Sequence, residues 1–113
     1  MLTTPEAIAF APLGPTVSFL AATPTPPTAA QATTNKGETP TGSDRVVNSG
    51  AVTVFLGVGT SSALAITAAS TLATSIPLLP GAVEILRFAP NLYFTGLSAS
   101  GTATVYVTQG GGI

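Results

Sequence analysis

Gly101-Thr102-Ala103-Thr104-Val105-Tyr106-Val107-Thr108 is the stretch that decides the fold class. Thr102, Thr104, Tyr106 and Thr108 alternate with Ala103, Val105 and Val107. A strand points successive side chains to opposite faces, so one face is hydroxyl-bearing and the other apolar. Threonine suits this place because it is β-branched and stays hydrophilic without a charge.

Moving towards the N-terminus, the same pattern recurs between turn signals. Leu92-Tyr93-Phe94-Thr95-Gly96-Leu97 reads as a strand between the turns Ala89-Pro90-Asn91 and Ser98-Ala99-Ser100-Gly101. Val83-Glu84-Ile85-Leu86-Arg87-Phe88 is another, preceded by Pro80-Gly81, where Pro presets the first central residue of a type II turn and Gly the second. Val52, Val54, Leu56 and Val58 line one face of a strand. Arg45-Val46-Val47, then Asn48-Ser49-Gly50, predicts that this strand is entered by a bulged hairpin with Gly50 in the left-handed position. Ser61 to Ser70 fits a loop or a short helix with a serine cap. In Thr16-Val17-Ser18-Phe19-Leu20, Val17 and Phe19 share a face. Short strands at this spacing, with no βαβ unit, predict an all-β antiparallel fold, a β-sandwich, jelly-roll-like arrangement or small barrel, in a single domain over 1–113. The core strands are expected over 43–108.

Two segments read differently. Residues 22–42 are Pro/Thr-rich and then polar, an extended arm or loop stiffened by Pro24, Pro26 and Pro27. Pro24, Pro26, Pro27 and Gln31 are candidate subunit-contact residues on that arm. Gln109-Gly110-Gly111-Gly112-Ile113 reads as a flexible tail.

Charge is scarce. Of 113 residues only 6% are charged, namely Glu6, Lys36, Glu38, Asp44, Arg45, Glu84 and Arg87, against about 25% in a typical soluble domain. Interface cores are depleted in charge in the same way, so the surface reads as one covered by neighbours in an assembly, or as the hydroxyl-rich Thr, Ser and Gly surface of a monomer. Arg45 and Arg87 are the candidate interface charges. Three cations at a net charge of −1 make no electrostatic footprint for nucleic acid. Mean hydropathy is +0.55, yet the uncharged run 46–83 is interrupted by Asn48-Ser49-Gly50, Pro77 and Pro80. It is not expected to form a membrane span. Glu6 and Pro5, Pro12 and Pro15 disfavour a secretory leader.

No reaction chemistry is expected. The chain has no His and no Cys, which removes the common nucleophile–base pairs and any thiolate metal site. Lys36 lies in the Pro/Gly-rich polar stretch, and the four carboxylates are spread along the chain. Gly57-Val58-Gly59 lacks the third glycine and the helix–strand unit of a nucleotide motif. Catalytic residues, metal ligands and cofactors are therefore all predicted to be none.

The segment from Arg45 to Gly112 resembles a group of small tailed-phage structural proteins. The resemblance is carried by Arg45-Val46-Val47-Asn48-Ser49-Gly50 with Val52 to Gly59, by Leu79-Pro80-Gly81-Ala82-Val83-Glu84-Ile85-Leu86, by Asn91 to Leu97 and by Gly101 to Thr108. The Gln109-Gly110-Gly111-Gly112 ending departs from the Pro-Gly-Glu-Gly-type tail expected of the group. The resemblance implies a capsid decoration or cement protein of jelly-roll-like fold on the outer capsid surface of a virion, commonly trimeric, with the major capsid protein as partner. A neck, tail or head-fibre component is the alternative within that class. A carbohydrate-binding β-sandwich module is the alternative outside it.

Overall fold

The computed structural model describes residues 11–32, 43–88 and 92–111. Residues 33–42 of the expected arm and the expected turn at Ala89-Pro90-Asn91 lie outside the described residues. The described chain is mostly β, in two antiparallel four-stranded sheets. The strands are β1 (Ala11–Ala21), β2 (Ala30–Gln31), β3 (Ser43–Asn48), β4 (Val54–Gly59), β5 (Ile76–Leu78), β6 (Val83–Arg87), β7 (Tyr93–Ser98) and β8 (Ala103–Gly111). A helix, α1 (Ser62–Ser70), and a 3-10 turn at Leu72–Thr74 join β4 to β5.

One sheet has the order β1-β8-β3-β6 and the other β2-β7-β4-β5. The first strand therefore pairs with the last, the second with the seventh, the third with the sixth and the fourth with the fifth. This is an antiparallel ribbon rolled on itself, the eight-stranded jelly roll. The expected all-β sandwich is the fold observed.

The predicted strand faces hold. Phe19, Ala21, Val46, Val54, Leu56, Phe94, Ala103, Val105 and Val107 form the core between the sheets, with Val17, Val52 and Val58 packed against it. Pro80-Gly81 makes the expected turn: Gly81 has φ +77° and Ala82 N–H donates to Leu79 C=O at 2.9 Å. Gly81 thus occupies the position that a side chain disfavours.

Three expectations are corrected. Asn48-Ser49-Gly50 is not a hairpin turn, because β3 and β4 lie in different sheets. Gly50 is not left-handed. It packs on Ala103, whose Cβ would lie 2.4 Å from a Cβ added at Gly50. The crossover is held by Asn48 itself. Its buried Nδ2 donates to the carbonyls of Val52 and Leu78 at 2.9 Å and of Leu79 at 3.2 Å, and its Oδ1 accepts from Gly50 N–H at 3.0 Å. Its backbone also pairs with Gly81 and Ala82. One side chain therefore joins the β3–β4 crossover to the β5–β6 crossover.

Second, Gln109 to Gly111 is not a tail. β8 continues through them, with Gly110 opposite both Pro12 and Ser43 and Gln109 fully buried. Third, the described part of the arm, 22–32, lies on its own body rather than reaching away from it. Ala22 bridges Leu97, Pro26 is buried, and Thr95 Oγ1 donates to Pro27 C=O at 2.8 Å. Buried strand backbone and a buried threonine supply the partners that hold it.

Candidate interaction surfaces

The two sheets present different outer faces. Val54, Leu56 and Val58 point into the core, so Phe55, Gly57 and Gly59 of β4 point outward. There α1 lies directly on the sheet. A Cβ at Gly57 would sit 2.3 Å from Ala65 O and Ala69 N, and one at Gly59 2.7 Å from Ala65 N. Ala65 and Ala69 are the buried residues of α1. Small residues on both elements let backbone approach backbone.

The helix holds its ends without charge. Ser61 Oγ caps the start by accepting from Leu64 N–H at 3.2 Å. At the other end the hydroxyls of Ser70, Thr71 and Thr74 donate to the carbonyls of Ile66, Thr67 and Ala68. Carbonyls that a helix leaves unpaired at its C-terminus are thereby satisfied. Ser62 Oγ also accepts from Ala29 N–H at 3.1 Å, tying the segment before β2 to the helix. This outer face is covered.

No described element lies across the outer face of β1-β8-β3-β6, although Ser43, at an outward position opposite Arg87, is buried. In register across it lie Ser18, Tyr106, Val47 and Val83, and beside them Thr16, Thr108, Arg45 and Ile85. Thr16 and Thr108 share a hydroxyl hydrogen bond of 2.6 Å. Leu20 (52% exposed), Val83 (51%), Ile85 (44%) and Tyr106 (41%) stand in solvent. The strip is apolar and is flanked by hydroxyls.

The predicted interface charges fall here. Arg45 lies opposite Ile85, and Arg87, two residues further along β6, lies opposite Ser43. Both arginines are exposed. The predicted arm residues do not join them. Pro24 and Gln31 are exposed and Pro27 is half-buried, and this segment runs by the other sheet. Pro26, within its own chain's interior, has no surface to offer a neighbour.

The sheet edges are blunted. β1 carries Pro12, with Pro15 in an irregularity between Pro12 and Thr16, and β5 carries Pro77. Glu84 of β6 lies opposite the buried Val46, at an inward register position on an edge strand, yet is exposed at the rim. Prolines and inward charges both oppose edge-to-edge pairing.

One group was missed by reading the sequence. Asp44 and Gln109 lie directly opposite each other on β3 and β8, 1% and 0% exposed. Their side-chain oxygens and the Gln109 nitrogen have no hydrogen-bond partner among the described residues. Burial pushes the Asp44 carboxyl up to about 7. The signal was present in the alternation: Asp44, Val46 and Asn48 share the inner face of β3, and Gln109 continues Ala103, Val105 and Val107.

Among the described residues no cavity of ligand size opens, and no three His, Cys, Asp or Glu side chains gather as a metal site. No helix among them is long and apolar enough to cross a membrane. The geometry therefore defines a class by fold and surface, a jelly roll with one covered and one open sheet face. The chain matches no family model, no curated protein and no solved structure.

Proposed function

We propose that this chain is a structural virion protein, a capsid decoration or cement protein. It binds the outer surface of a phage head through the open face of β1-β8-β3-β6 and bridges capsomers to stabilise the shell. The observation that carries the reading is that face: an apolar strip of Tyr106, Val47, Val83 and Ile85 among hydroxyls, with no covering element among the described residues. The resemblance of Arg45 to Gly112 to small tailed-phage structural proteins supplies the partner, the major capsid protein. Many copies on a repeating shell gain avidity from individually weak contacts. A homo-oligomer, with a trimer favoured, fits the same scarcity of charge.

Charge placed on the face tests the reading. Tyr106→Glu and Ile85→Glu are each expected to weaken binding to undecorated heads at least tenfold, because a desolvated unpaired charge costs several kcal/mol. Ala63→Glu, on the exposed side of α1, is expected to bind as the parent does. Retained binding by both face variants, measured by co-sedimentation with the heads, contradicts the proposed docking face.

A further inference from the structure

We infer that Asp44 and Gln109 form a proton-dependent latch that closes one end of the jelly roll when Asp44 is protonated and loosens it when Asp44 ionises. The inference is independent of the virion reading. Residues directly opposite in an antiparallel pair hold their Cβ atoms about 5 Å apart, within reach for an acid and an amide. Protonated Asp44 can donate its O–H to Gln109 Oε1, while Gln109 Nε2–H donates to the other Asp44 oxygen. Each group then supplies what the other lacks, and all four buried atoms that are now without partners are satisfied.

Ionisation removes the donor and leaves a carboxylate in the interior. Nothing described nearby offsets that charge. Leu86 of β6 lies opposite Asp44 on the other side. Glu84, two residues earlier on β6, bears a second carboxyl group and is exposed at the rim. Arg45 and Arg87 belong to the outer face of the same sheet. Phe94 of β7 belongs to the apolar core, Val58 of β4 and Leu92, just before β7, pack against it, and β8 sets Gln109 opposite Asp44. Burial accordingly holds the Asp44 carboxyl at about 7. The folded state keeps its proton where the unfolded chain, with a carboxyl near 3.8, has lost it. The stabilisation is fully present below about 4 and is lost as pH rises through about 7.

The experiment is chemical unfolding of the full chain from pH 5 to pH 8, with NMR of the side chains. The folding constant of the parent is expected to fall by roughly a hundredfold across that range. Asp44→Asn, which keeps the shape and cannot ionise, is expected to abolish most of the fall. The Gln109 side-chain amide resonances of the parent are expected to shift with the same midpoint as the Asp44 carboxyl carbon. A parent stability flat with pH, a fall equally steep in Asp44→Asn, or an Asp44 carboxyl that titrates near 4 overturns the inference. Gln109 resonances that ignore the Asp44 titration overturn it too, even if the variant fails to fold.

Discussion

Gly57→Val is expected to destabilise the fold by about 3 kcal/mol or more, at the upper end of what overpacking costs. Strand propensity alone gives the opposite sign, since valine suits a pleated strand better than glycine does. The geometry decides. The atoms a Cβ would meet at 2.3 Å are the Ala65 carbonyl oxygen and the Ala69 nitrogen, both backbone. No rotamer change relieves such a clash, so α1 must lift off the sheet. Lifting it exposes Ala65, Ala69 and Thr95, which are all buried. Ala63→Val, on the exposed side of the same helix, is expected to stay within about 0.5 kcal/mol of the parent. Urea unfolding measures both. A Gly57→Val variant as stable as the parent would show that α1 does not lie on β4 as described.

The second large effect is expected at Asn48. Asn48→Ala removes the donor to Val52, Leu78 and Leu79 and the acceptor for Gly50 N–H. It takes the donor from the buried Leu78 carbonyl, at a cost of about 1–3 kcal/mol, and from the part-buried carbonyls of Val52 and Leu79 at less. The expected loss is about 3–5 kcal/mol. Asn48→Asp is the sharper probe because it keeps the shape and reverses the polarity. At pH 7 a carboxylate would face the carbonyl oxygens that the amide now donates to. It is expected to cost at least as much as alanine. A loss below about 1 kcal/mol for both variants, read from the unfolding midpoint, would mean that Asn48 does not join the two crossovers.

These two residues also mark what a sequence can and cannot convey. Alternation reports which way a side chain faces, and that was legible. The inward sets of β1, β4 and β8 were all readable as period-2 patterns. Alternation does not report which strand lies alongside. Among the described strands only β4 and β5 are both consecutive and in one sheet, so the hairpin expected of β3 and β4 from turn chemistry fails for topological reasons. Asn48-Ser49-Gly50 has the composition of a turn, but its asparagine is a buried connector and its glycine makes room for Ala103.

The ending misled for a related reason. Three glycines read as a flexible tail, yet Gly110 has strands on both sides and backbone pairing does not require a side chain. Extending the alternation by one step would have placed Gln109 inside. Asp44 stands beside Arg45 in β3. Adjacent residues in a strand face opposite ways, so one of them had to point inward. The segment that carries Pro24, Pro26, Pro27 and Gln31 has the proline content of a stiff, extended arm. Proline content fixes stiffness only; the hydroxyl of Thr95, far along the chain, decides where the segment lies.

The open face, by contrast, could be anticipated in kind but not in extent. The hydroxyl-rich side of β8 was visible, and the charge deficit pointed to a covered surface. The registers of β1, β8, β3 and β6 were needed to bring Tyr106, Val47 and Val83 into one row and Arg45 beside Ile85. That the helix covers the other sheet follows instead from its close approach to Gly57 and Gly59.

The most direct measurement of the central claim is the number and position of copies of this chain on purified virions, by quantitative mass spectrometry and particle imaging. A decoration protein that docks by its open sheet face is predicted at a copy number comparable to that of the major capsid protein, spread over the outer shell. A small ring-like number confined to one vertex, or no copies on the particle, would contradict it.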